Sequence, residues 1–189
     1  MGQLQALRPV SDITVGGYTP TPIWQNCDST SDAENIVSPL LTVPRACEMG
    51  IKTGEGAESG DPAIDAPTKS VTFNYRIRVS KDITGGQIVT CDMELYEGAV
   101  LRASRLGLDA NSTSWQTHTD TLSDAEIAAI SDWSDLRVRI TGIGDLGLPR
   151  RKLRISFTEF RYPIYMGQTR VRGISIGPGK ATIYDATLR

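Results

Sequence analysis

Apolar and polar residues alternate along Val71–Val79. Val71, Phe73, Tyr75, Ile77 and Val79 share one face, and Thr72, Asn74, Arg76 and Arg78 share the other. A period of two puts the apolar set on one side of a pleated strand, which predicts an antiparallel sheet with one buried face. Asp82-Ile83-Thr84-Gly85-Gly86 follows with hairpin-turn chemistry, because glycine takes up positive φ cheaply. The next strand, Gln87–Tyr96, turns Val89, Cys91, Met93 and Leu95 inward and Thr90, Asp92 and Glu94 outward. A turn at Glu97-Gly98 leads to a third strand near Ala99–Leu106. Leu136–Thr141 and Lys152–Tyr162 repeat the pattern, the last with Leu153, Ile155 and Phe157 as its inner face.

One helix signal interrupts the strands. Ser123-Asp124-Ala125-Glu126 is a capping box, in which the serine oxygen accepts from the Glu126 amide and the Glu126 carboxylate reaches back. Leu122 and Ile127 stand at staple positions. The pattern predicts a short helix over Asp124–Ile130 that closes one open end of the fold, with Ile127 and Ile130 facing in.

The chain up to about Pro67 has a different texture. It holds Pro9, Pro20, Pro22, Pro39, Pro44, Pro62 and Pro67, together with Gly16-Gly17 and the glycine- and acid-rich stretch Gly54–Asp65. Proline removes a backbone donor and disfavours helix and central strand alike. Short strands are predicted here only around Tyr18–Trp24 and Ile36–Val43. Ile13, Val15, Tyr18, Ile23, Trp24, Leu40, Leu41 and Val43 argue against a disordered linker. The whole pattern predicts an all-β fold: an antiparallel β-sandwich of jelly-roll type with one short crossover helix and extended N- and C-terminal arms. The expected division is an N-terminal arm over 1–15, a sandwich over 16–163 with a Pro/Gly-rich insertion at 44–67, and a C-terminal arm or hairpin over 164–189.

Composition narrows the function classes. A net charge of -2 over 189 residues does not suit direct nucleic-acid binding. No apolar run approaches the roughly 20 residues that cross a bilayer, so no membrane partner is expected. Met1–Val10 lacks a charged segment followed by an apolar one, so no signal peptide is expected, and synthesis in a reducing cytoplasm follows. Cys27, Cys47 and Cys91 are widely spaced and read as isolated buried thiols, although spacing does not exclude a Cys27–Cys47 bridge. With His118 as the one histidine, no zinc site is expected.

Catalytic chemistry is hard to assemble. A nucleophile needs a base beside it, and His118 sits in the Ser/Thr-rich stretch Asn111–Thr121, read as a polar loop. Asp92 and Glu94 share a strand face, but as solvent-facing partners of arginines rather than a glycosidase pair. No phosphate-binding loop or dinucleotide fingerprint is present; Gly54-Glu55-Gly56 is a lone GxG in acidic sequence. Glu55, Glu58, Asp61 and Asp65 lack EF-hand spacing, and Asn111-Ser112-Thr113 is a glycosylation sequon with no secretion signal to give it meaning. No enzyme activity and no cofactor are expected.

The outward faces of three strands carry cations: Arg76 and Arg78, Arg137 and Arg139, Lys152 and Arg154. If those strands are neighbours, they form a basic stripe able to dock on an acidic partner through bidentate arginine contacts. Cross-strand pairing with Asp92 and Glu94 is the competing reading.

An ordered series of segments resembles a phage virion structural domain found in phage and prophage virion or tail genes. It comprises GGYTPTPIWQNCD at Gly16–Asp28, SDAENIVSPL at Ser31–Leu40, FNYRIRVSKDITGGQ at Phe73–Gln87, MELYEGAVLRAS at Met93–Ser104 and TLSDAEIAAISDWSDLRVRI at Thr121–Ile140, with Arg150–Phe160 as the closing strand. The likeness implies a jelly-roll-like sandwich in a virion component, of capsid-decoration or tail-associated type, with no catalytic residues to carry over. Pro44–Pro67 is a longer insertion than that pattern holds, and Ile164–Arg189 extends beyond it.

The expected function is therefore a capsid decoration (cement) protein, assembled in the host cytoplasm and resident in the virion. It would be a homo-oligomer bound to the major capsid protein or other virion proteins through Arg76, Arg78, Arg137, Arg139, Arg154 and Trp115. The alternative is a tail-fibre or carbohydrate-binding module using exposed aromatics among Trp24, Trp115 and Trp133.

Overall fold

The computed structural model describes residues 3–27, 35–53, 73–132, 135–164, 170–177 and 180–187. For 3–8, 52–53, 73–76, 157 and the residues beyond 158 it describes the backbone alone. The strands are β1 (Gln3–Thr14), β2 (Ile36–Val37), β3 (Arg45–Thr53), β4 (Phe73–Lys81), β5 (Val89–Glu97), β6 (Val100–Asp109), β7 (Gln116–Leu122), β8 (Leu136–Gly144), β9 (Leu153–Ile164), β10 (Arg170–Gly177) and β11 (Lys180–Thr187). A single-turn helix, α1 (Asp124–Ala128), stands between β7 and β8. All pairings are antiparallel, and the expected all-β sandwich is what forms.

The strand order is β6-β5-β8-β3-β1-β9-β4-β7, with β2 added beside β9. β1 is the strand both halves share. Its first residues pair with β9 (Gln3 opposite Ile164 to Leu7 opposite Phe160) and its later ones with β3 (Leu7 opposite Thr53 to Thr14 opposite Glu48). Register shifts at Pro9/Ser11 and Asp12/Thr14 mark bulges, which bend a strand and raise its twist. Pro9 lacks a donor and sits beside the first bulge, where a ladder bond is missing anyway. The inner faces of the two halves meet in one core: Cys47, Met49, Ile51, Cys91, Met93, Leu95, Val138 and Ile140 from one, Ile77, Val79, Leu153 and Ile155 from the other.

Several expectations need correction. Residues 1–15 were expected as an arm, yet Gln3–Thr14 is a strand that joins the halves. The insertion at 44–67 contains β3, whose Cys47, Met49 and Ile51 are buried; residues 54–72 lie outside the described residues. The Ser/Thr-rich stretch read as a loop includes β7, an edge strand paired to β4. Finally, an irregularity between Arg78 and Val79 leaves Ser156 as an extra residue in β9. Leu153 and Ile155 face inward as expected; the Phe157 side chain lies outside the described residues, its backbone stands opposite Arg78, and Thr158 opposite Ile77 is buried.

The Tyr18–Trp24 stretch is not a strand. Thr19 makes an isolated bridge to Val37, and Trp24–Asn26 forms a 3-10 turn whose Ile23 and Trp24 amides donate to the Asp12 carboxylate at 3.0 and 2.9 Å. Gly16, at φ 61°, brings the chain so close to β3 that a Cβ would stand 1.7 Å from the Ala46 carbonyl oxygen. Only glycine fits there. Residues 164–189 carry a hairpin, β10 paired to β11 in continuous register.

Candidate partner-binding surfaces

The cation-bearing strands do not line up in one stripe. β4 and β9 are paired, but β8 is separated from β9 by β3 and β1 and belongs to the other half. The expected basic face divides into two groups.

On the first, register places Arg139 between Glu48 of β3 and Glu94 of β5. The Arg139 guanidinium donates to Glu48 through Nε at 3.2 Å and Nη2 at 2.9 Å, and through Nη1 to the Tyr96 hydroxyl at 3.0 Å. Its Cζ lies 4.5 Å from the Tyr96 ring centre. Arg137 adds a 3.6 Å contact to Glu48, which is only 7% exposed, and a 3.5 Å contact to Asp135. The carboxylate of Glu48 raises the Arg139 pKa further. Desolvation and the Glu94 carboxylate raise that of Tyr96. These arginines are committed within the sheet. Their main partner is Glu48, which the sequence reading missed; Asp92 instead accepts the Gly107 amide at 2.8 Å beside a bulge.

The second group gathers on Trp115. Arg154 lies with its Cζ 4.6 Å, and Arg78 5.5 Å, from the indole ring centre. Guanidinium stacking of this kind fixes an aromatic on a sheet face. Trp115 is half-buried, with the Arg78 and Arg154 guanidinium groups over its ring. The Arg76 side chain and Trp133 lie outside the described residues. His118, on β7, donates from Nε2 to the Asp109 carbonyl oxygen at 2.6 Å, a contact that pins the β6–β7 connection. The three cysteines are buried and none is in a disulfide; burial pushes the Cys91 thiol up to about 12 and raises Cys47 as well, which makes both poor nucleophiles. Among the described residues no cluster of His, Cys, Asp or Glu could hold a metal ion, and no helix is long and apolar enough to cross a membrane.

Two features emerge that periodicity alone could not locate. The first is a polar clasp at the helix end. Arg105 of β6 donates to Asp120 of β7 at 2.6 Å and to both oxygens of Glu126 at 2.7 and 3.1 Å, so it links the two edge strands to α1. Glu126 also completes the capping box on Ser123. The hydrogen bond from Arg105, with those from Ser123, holds the Glu126 pKa down at about 2. Glu97 accepts the Ser131 hydroxyl and the Ser131 and Asp132 amides, and those bonds, with Arg102, lower its pKa to about 2.

The second feature is at the other end. Gln87 is fully buried, donates to the carbonyls of Leu41 and Asp145, and accepts the Arg151 amide. Asp145 accepts the Ile88 and Gly147 amides at 3.0 and 2.8 Å. Arg151 donates to the Gly85 and Thr84 carbonyls. Buried Lys81 donates to Asn111 and to the Gln87 carbonyl. Three segments are thereby knitted together, yet they leave Leu40, Val43, Ile83, Ile88, Leu146 and Leu148 exposed, Leu146 at 88% and Leu148 at 74%. No family model matches the chain, and no curated protein matches it either.

Proposed function

We propose that the chain is a non-enzymatic phage virion subunit, a capsid decoration protein that binds and stabilises the lattice of the major capsid protein. The observation that carries this reading is the apolar end. Six large apolar side chains are exposed on segments that buried polar bonds tie together, and apolar surface concentrated in this way suits a protein contact. The described acids and cations that could serve as catalytic groups are instead engaged in fastening strands, as with Glu48, Glu97, Arg105 and Arg139. The strand order supports the virion reading too. Without the two-residue β2, and with the remaining strands of this sheet counted consecutively from one to eight, the halves β1-β9-β4-β7 and β6-β5-β8-β3 run 1-8-3-6 and 5-4-7-2, which we read as jelly-roll winding, an architecture frequent in capsid domains.

Co-sedimentation with tail-free heads tests this proposal. Saturable binding to heads supports it. Failure to bind heads together with retention on a glycan array, lost in Trp115→Ala, would replace it with the receptor-recognition alternative.

A further inference from the structure

The sandwich is closed along one side by β1 and ends on the other in two edge strands, β6 and β7. The two edges are not alike. Register shifts opposite Cys91–Met93 and Leu95–Tyr96 put extra residues into β6, and bulges of that kind spoil an edge for further pairing. β7 carries no bulge, proline or lysine, and its register with β4 is continuous from Gln116 opposite Val79 to Leu122 opposite Phe73. The Thr121 amide donates to the Asp120 carboxylate at 2.7 Å, and the Thr121 carbonyl accepts from Arg105 at 2.8 Å, so the backbone of residue 121 faces away from β4. Alternation along an antiparallel pair gives the backbones of Thr117 and Thr119 the same direction. Both residues are exposed, and among the described residues no strand pairs with β7 on that side.

β10 and β11 form a two-stranded sheet of their own, in continuous register from Arg170 opposite Thr187 to Gly177 opposite Lys180. A two-stranded hairpin is marginal by itself in water, and a third strand stabilises it. Among the described residues its own sandwich does not supply that strand. β10 carries Arg170, Arg172 and, near its middle, Gly173, which weaken it as a pairing edge; β11 holds Thr182-Ile183-Tyr184 at its centre, residue types that favour a strand, and no proline.

We infer that the β10–β11 hairpin of one copy adds β11 to the open edge of β7 in a second copy. The hairpin lacks a third strand and β7 lacks a neighbour, and one contact satisfies both. Exchange in both directions closes a dimer through two identical contacts. The apolar end takes no part, so the outcome of head binding leaves this inference untouched.

Sedimentation velocity and hydrogen exchange on the full chain test it. The wild type self-associates, and its Thr117 and Thr119 amides exchange more slowly as concentration rises. Thr119→Pro removes an outward donor from β7, a place where an edge strand tolerates proline. Ile183→Pro/Tyr184→Pro removes adjacent donors from β11, whichever edge each serves. Circular dichroism and cooperative melting check the sandwich in both. Each variant alone is monomeric, and mixing them gives a one-to-one dimer, because each keeps the element that the other lacks. Association that survives in the β11 variant would overturn the inference. So would a monomeric wild type, and protection of Thr117 and Thr119 in that monomer, lost in the β11 variant, would place the hairpin on its own β7 instead. Hydrogen exchange decides the matter even without a variant: equal exchange at Thr117 and Thr119 in dilute and concentrated wild type rules the contact out.

Discussion

The helix end and the apolar end of this sandwich solve the same problem in opposite ways. Each must cover the mouth of a core lined by both halves. At the helix end charged groups turn inward: Arg105 joins β6, β7 and α1, and Glu97 gathers the backbone of Ser131 and Asp132. Ile127 and Ile130 go under them into the core. At the other end uncharged or singly charged groups bind backbone, through Gln87, Asp145 and Lys81, and the leucines go outward. The difference teaches that polar groups can fix a loop so firmly that its apolar residues need not be buried within the chain. Such residues remain available to another protein.

The largest effect is expected at the apolar end. Gln87→Ala removes a buried amide and leaves the Leu41 and Asp145 carbonyls and the Arg151 amide unpaired; it should cost about 3 kcal/mol in urea unfolding. Arg105→Ala at the helix end breaks charge-assisted bonds that are partly open to water, and about 2 kcal/mol is expected. A loss under 0.5 kcal/mol in either variant would mean that the end in question is held by something else.

Acid separates the ends further. Glu97 and Glu126 have folded pKa values of about 2, below the ordinary 4.5. A carboxylate with a depressed folded pKa contributes stability that is fully present above its unfolded value and is lost as pH falls through the folded one. Stability should therefore fall between pH 4.5 and 2, and Glu97→Gln/Glu126→Gln should flatten that slope when thermal unfolding is followed against pH. Hydrogen exchange should show the segment 123–132 opening first as the pH drops, ahead of segment 145–151.

How much of this was legible beforehand follows from which residues carry a local signal. β4, β5, β8 and β9 alternate cleanly, and the capping box at Ser123–Glu126 is encoded in four consecutive residues. β1 was illegible because Pro9 and two bulges break its period, and β3 because Pro44 and the glycines around it read as turn chemistry. β7, Gln116–Leu122, is mostly polar because an edge strand can be held by backbone pairing to β4 with little burial. The arginines were found on the right outer faces of β8 and β9, but their partner Glu48 depends on a register between distant strands. The apolar end was invisible for the same reason, since the segments that bear Leu40, Ile83 and Leu146 are tied by Gln87, Asp145 and Arg151 across long stretches of sequence.

Smaller effects sharpen the comparison. Ser123→Ala should cost about 1 kcal/mol, the usual worth of an N-cap, as read by thermal melting. The smallest change in stability is expected where the functional change is greatest: Leu146→Asp/Leu148→Asp should unfold within about 0.5 kcal/mol of the wild type, because both side chains already stand in water.

Imaging of labelled chain on intact particles by electron cryo-microscopy tests the virion assignment most directly. The account predicts label distributed over the head, between copies of the major capsid protein. Label confined to the tail tip, or particles of full composition that carry none of this chain, would contradict it.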